Sequence, residues 1–197
     1  KYKPSPISGL DCLLISQIAF YDNPHRFTEM LNKLCDELDE RVKNLPEDNR
    51  KRLIITGTPM AVPNWKLHSI IESLDAQIVA EETCTGTRYF ENEVSEEGDT
   101  IEELIKNLAD RYLKINCACF TPNNGRLDDL IRYADEYHAD GIIDANLSFC
   151  HTYAIEHGTI EKGLKEKSIP TMHIETDYAS EDSGQIKTRV EAFLEMI

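Results

Sequence analysis

No stretch of this chain approaches the roughly 20 consecutive apolar residues that a membrane span requires. Nor does a basic segment followed by an apolar one stand at the start of the sequence, so its residues give no support to a membrane or secretory reading. Positive charge is also short. Lys and Arg number 21 against 36 Asp and Glu, a net charge of -15. Such a surface repels phosphate backbones, which argues against nucleic acid as a partner and is otherwise the ordinary charge of a soluble domain. CxxC pairs and an HExxH motif are missing, as are Walker and GxGxxG sequences, so neither a zinc motif nor a nucleotide fold is indicated. There is no internal repeat and no low-complexity linker; the one long polar stretch, ENEVSEEGDT, reads as a surface loop.

The six cysteines, Cys12, Cys35, Cys84, Cys117, Cys119 and Cys150, are too sparse for a small disulfide scaffold. Reduced thiols in a cytoplasm are the expectation, some of them free to bind metal. With 197 residues the chain can bury a core of its own. It begins KYKPSPISG without a methionine and is read as a piece of a longer protein.

Residues 1–50 read as a helical segment linking to an N-terminal domain outside the sequence, and residues 51–197 as a C-terminal α/β domain. In the first part, Phe27, Met30, Leu31, Leu34, Leu38 and Val42 recur at helical spacing. Beyond residue 51, RLIITGTPM, QIVAEETC, GIIDANLSFC and IPTMHIETDY are short apolar runs alternating with helical patterns. That alternation predicts a parallel four-stranded sheet covered by helices on both faces.

Ligands of an open parallel sheet bind at the carboxyl ends of its strands, near the point where strand order reverses. TGTPMAVPN, EETCTGTR, NLSFCHTY and ETDYASEDSGQ should therefore meet on one rim, bringing Cys84 and Cys150 together with Arg88, His151, Tyr153 and Asp177 nearby. The two thiols have three readings: a nucleophile activated at a helix start, ligands of a soft metal centre, or buried packing residues. Cys150, followed at once by polar His-Thr-Tyr, reads best as a ligand; Cys84 stays evenly divided. Cys12, Cys35, Cys117 and Cys119 read as packing residues. His151 and His157 are six apart and do not share a helical face, so each reads as a surface or supporting residue. Arg88 pairs either with a phosphate or thioester group or, more commonly, with a local carboxylate, and Gly57 and Gly86 relieve tight turns.

The segments GTPMAVPNWKLHSIIESLDAQIVAEETCTGTR, RYLKINCACFTPNNGR, DGIIDANLSFCHTY and HIETDYASEDSGQIKTRVEAFLEM resemble the 2-hydroxyacyl-CoA dehydratase D-component family, which includes benzoyl-CoA reductase subunits. The resemblance runs from about Ser8 to the C-terminus. It implies the C-terminal domain of an iron–sulfur subunit, with a [4Fe-4S] cluster held by Cys150 and by two cysteines of the absent N-terminal domain. Cys84 matches a recurrent cysteine of the family. The implied reaction is an ATP-activated one-electron reduction of an acyl-CoA thioester that eliminates water. The implied partners are an ATP-dependent iron–sulfur activator protein and a second subunit of the family, in a homo- or heterodimer. Arg88, His151 and Tyr153 would contact substrate or support the cluster. The CHTY pattern is closer to a branch of double-cubane [8Fe-9S] reductases of small molecules. Against these stand a non-catalytic partner subunit and a thiol enzyme with Cys150 as nucleophile. The fragment by itself is expected to fold but not to hold a cluster.

Overall fold

Apolar runs bounded by Gly, Pro and Asp become the four strands of one sheet in a computed structural model that describes all of residues 1–197. They are β1 (Lys51–Gly57), β2 (Ala76–Glu82), β3 (Gly141–Leu147) and β4 (Thr171–Thr176), all parallel, in the order β2-β1-β3-β4. The central pair, β1 and β3, is buried along almost its whole length, as a strand covered on both faces must be. The chain moves outward from β1 to β2, then from β3 to β4 on the other side. The switch point therefore lies between the carboxyl ends of β1 and β3.

Helices cover both faces. On one, α3 (Lys66–Ser73) and α8 (Ser183–Met196) bury Leu67, Ile71, Ile186, Val190 and Phe193 against Leu53, Ile55, Ile143 and Ile174. On the other, α6 (Asn124–Glu136) and α7 (His151–Glu166) bury Leu130, Tyr133, Ile160 and Leu164 against Ile54 and Ile142. Because side chains alternate along a strand, Asp144 and Asn146 share the second face with Ile142. That alternation puts a polar seam inside an apolar strand.

The first fifty residues supply two helices, α1 (Gly9–Ile18) and α2 (Pro24–Val42). Helix α1 packs on β2 and α3 and buries Leu13 and Gln17. Asn23 caps α2, accepting from the His25 and Arg26 amides, and Pro24 sits at its first turn. The helical periodicity of α2 was legible, yet none of its residues is buried. Cys12 and Cys35 are not core residues either; they line a groove of about 380 Å³ between α1, α2 and the β2 edge. A four-residue helix, α4 (Thr87–Phe90), follows β2 unforeseen. Thr100 and Glu103 form a capping box that starts α5 (Ile101–Tyr112), whose apolar stripe of Ile101, Leu104, Ile105, Leu108 and Tyr112 is exposed. No helix is long and apolar enough to cross a membrane.

Candidate functional site: a thiol rim over buried arginines

At the end of β3 the chain turns through Phe149, which adopts φ 67° and is 91% exposed. A left-handed backbone at a bulky residue is costly and marks a turn held by its surroundings. The turn delivers Cys150 to the N-cap of α7, above the switch point. Cys150 is half-buried, with its Sγ 3.6 Å from Thr152 Oγ1. Burial acts to raise its thiol pKa, but hydrogen bonds from Thr152, the Tyr153 amide and Thr58 prevail, and the thiol is held below its ordinary range.

Tyr153, one turn into α7, is 5% exposed and carries its hydroxyl beneath the thiols. Arg88 Nη1 donates to that hydroxyl and also lies 3.6 Å from Cys84 Sγ. On the other side, Cys117 Sγ is 3.9 Å from the same hydroxyl. Cys84, from the loop after β2, Cys117, from the loop before α6, and Cys150 thus surround one tyrosine. The placing of Cys117 corrects the expectation that it packs in the core. Burial works against ionisation of Cys117, but hydrogen bonds from Cys119 and Tyr153 and the Arg88 charge bring its pKa down. Cys119 is exposed, and its hydrogen bond to Cys117 raises its own thiol.

Below this rim lies a chain of buried charges. Arg88, 7% exposed, grips the Glu82 carboxylate through Nε and Nη2 and the Glu82 carbonyl through Nη2 at 2.9 Å. Arg126, fully buried, reaches Glu82 Oε2 at 3.2 Å, Thr56 Oγ1 at 2.8 Å, Asp144 Oδ1 at 3.4 Å and the Glu156 carboxylate. Both guanidinium groups lie on the Tyr153 ring, with centroid distances of 5.4 Å for Arg88 and 4.9 Å for Arg126. Burial pushes the Tyr153 hydroxyl far upward against the pull of Arg88, so it stays protonated and able to donate.

Of the sequence candidates, Cys84, Cys150, Arg88 and Tyr153 come together. His151 is exposed at the start of α7. Asp177 lies towards α3, its carbonyl accepting from Lys66 Nζ at 3.1 Å. Arg88 takes the local-carboxylate alternative. Glu82, Arg126, Cys117 and Glu156 were missed. Arg126 lies in the first turn of α6, in an NNGR sequence that reads as a turn and carries no periodicity to mark it as buried.

The profile of the family described as 2-hydroxyglutaryl-CoA dehydratase, D-component, matches residues 1–197. The chain belongs to this family. It is 38% identical over 98% of its length to YjiM of Escherichia coli (strain K12), which carries the name of a dehydratase subunit; the match covers 50% of that protein. It is 26% identical to the (R)-phenyllactyl-CoA dehydratase beta subunit of Clostridium sporogenes, over 93% of this chain and 47% of that one. With a benzoyl-CoA reductase subunit of Thauera aromatica the identity is 24%, over 86% of this chain and 41% of that one. The chain spans about half the length of the curated relatives it matches.

Soft thiols on three separate loops, two with lowered pKa, are donors of the type that soft metal centres take. They also set a reactivity order for the metal-free chain. Cys117 and Cys150 should alkylate at lower pH than Cys12, whose thiol burial pushes up to about 11. A pH series of iodoacetamide labelling read by peptide mass spectrometry tests this, and Cys12 reacting first would contradict it.

Proposed function

We propose that this chain is the cluster-bearing C-terminal half of a 2-hydroxyacyl-CoA dehydratase-like subunit, with Cys84, Cys117 and Cys150 holding one cubane. The observation that carries the reading is the convergence of these thiols on Tyr153 and Arg88: Cys117 lies at the tyrosine hydroxyl, Cys84 at Arg88, and Cys150 at the Tyr153 amide. The ligand set differs from the one implied by the resemblance, because it draws three cysteines from this chain. When bound, such a cluster supplies single electrons at low potential, here to an acyl-CoA thioester so that water can leave.

The protein's own residues do the rest. Arg88 sets a permanent positive charge under the thiolates, and Tyr153 donates to Cys117. Together they would offset the negative charge of a cluster bound on this rim. Glu82 keeps Arg88 in place, and the buried ion pairs of Arg126 with Glu82 and Asp144 close the underside to water.

The same three thiols would hold either a single cubane or one part of an [8Fe-9S] double cubane, and the second choice would make the protein a small-molecule reductase. An ATP-hydrolysing iron–sulfur activator would deliver the electron. The exposed apolar stripe of α5 supports a second subunit, or the remaining half of a longer chain, as its cover. The test is anaerobic reconstitution of the 197-residue chain with iron and sulfide. Iron near a cubane's worth is expected, lost in Cys117→Ser and Cys150→Ser and retained in Cys119→Ser. Retention in Cys117→Ser would remove that residue from the set.

A further inference from the structure

Beneath α7 and apart from the thiols, a second group of ligand-type atoms converges. Asp144 on β3 and His173 on β4 lie directly opposite one another in the sheet register. His157, from α7, comes down onto both. One ligand atom from each of the three lies within 4.8 Å of the others. His157 Nδ1 is 2.7 Å from Asp144 Oδ2, and the two imidazole rings stack with centroids 3.9 Å apart.

Two imidazoles and a carboxylate are the donor set of zinc and related divalent ions. Ligand atoms about 2.0–2.2 Å from a tetrahedral ion stand about 3.3–3.6 Å apart, so the 2.7 Å Asp144–His157 contact, which suits a shared proton, would open by less than about 1 Å to admit an ion. The surroundings favour the ion. A metal-bound imidazole carries its proton on the far nitrogen and donates it to an outer partner, which fixes the ring. His173 Nε2 is 3.0 Å from the Asn146 amide nitrogen, while Asn146 Oδ1 is buried without a partner. Turning that amide by half a revolution puts the orphaned oxygen on an Nε2–H of His173 and leaves Nδ1 for the ion. His157 turns Nδ1 towards Asp144, and its Nε2 faces Glu161 Oε2 at 3.7 Å, an ion-pair separation and longer than a hydrogen bond. Arg126 takes Asp144 Oδ1 at 3.4 Å, so that Oδ2, which faces His157 Nδ1, is the oxygen left to meet an ion.

We propose that Asp144, His157 and His173 bind a divalent cation of the zinc type, which pins α7 to β3 and β4. Helix α7 carries Cys150 at its N-cap and Tyr153 in its first turn, so the ion would also fix the floor of the thiol rim. The proposal does not depend on the cluster. It is tested in the 197-residue chain with its thiols alkylated, so that only nitrogen and oxygen ligands remain. Cobalt(II) should then bind one per chain, with weak visible bands, no thiolate charge-transfer absorption and a raised melting temperature. Affinity should fall more than about tenfold in His173→Ala and in His157→Gln, each shown to be folded by circular dichroism. If the alkylated chain is folded and takes up no cobalt, or if both variants bind it unchanged, Asp144 and His157 are only a hydrogen-bonded pair and the proposal fails.

Discussion

Replacing Glu82 with alanine is expected to be the most damaging single change in the chain. Its carboxylate is 1% exposed and is shared between Arg88 and Arg126, with Thr56 donating as well. Removing one partner of a buried ion pair costs about 3–5 kcal/mol, because the charge left behind has no water to return to. Here two guanidinium groups are affected. Arg126 keeps Asp144 and Glu156, but Arg88 has no other carboxylate within reach among its bonds. Against a total stability of roughly 5–15 kcal/mol, the loss should leave a substantial unfolded fraction. Urea titration of Glu82→Ala beside Glu82→Gln checks this, and the amide, which keeps the shape and one acceptor, should recover part of the loss. A shift below about 1 kcal/mol in Glu82→Ala would mean that water reaches the arginines.

Gly57→Ala should come next in size. Gly57 ends β1 at φ 115°, and a Cβ there would stand 2.2 Å from the Ala145 carbonyl oxygen on β3. The obstacle is backbone, so no side chain can swing aside. The sum of a strained φ and an overpacked contact is roughly 2–6 kcal/mol. The damage falls where β1 and β3 part, directly beneath Thr58 and Cys150. Thermal melting reads the loss, and an unchanged melting temperature would mean that the two strand ends separate freely. The sequence marks this glycine only as a turn residue. Its close approach to β3 depends on a strand pairing that spans most of the domain.

The sheet was legible because β1 and β3 are continuous apolar runs and each crossover carries a clear helix pattern. Periodicity in α2 and α5 shows that one face is apolar, but it says nothing of what covers that face; in this chain the α2 stripe is half-covered along the groove it forms with α1 and β2, and the α5 stripe is exposed. Cys84 and Cys150 could be placed because they follow strands directly. Cys117 sits in an irregular segment after α5, where spacing along the chain gives no position in space. The signal for the buried charges was present in GIIDANL, whose Asp144 and Asn146 interrupt an otherwise apolar strand on one face. Polar residues at such positions need partners inside the protein. Those partners, Arg126, His157 and His173, come from α6, α7 and β4, and only folding assembles them.

The measurement that bears most directly on the thiol rim is a map of which cysteines iron protects. The reconstituted chain is alkylated anaerobically beside the metal-free chain, and each of the six cysteines is quantified by peptide mass spectrometry. Protection of Cys84, Cys117 and Cys150, with Cys35 and Cys119 labelled equally in both samples, is the expected result. Labelling of Cys84 and Cys117 at metal-free rates in an iron-loaded chain would contradict a cluster held on this rim.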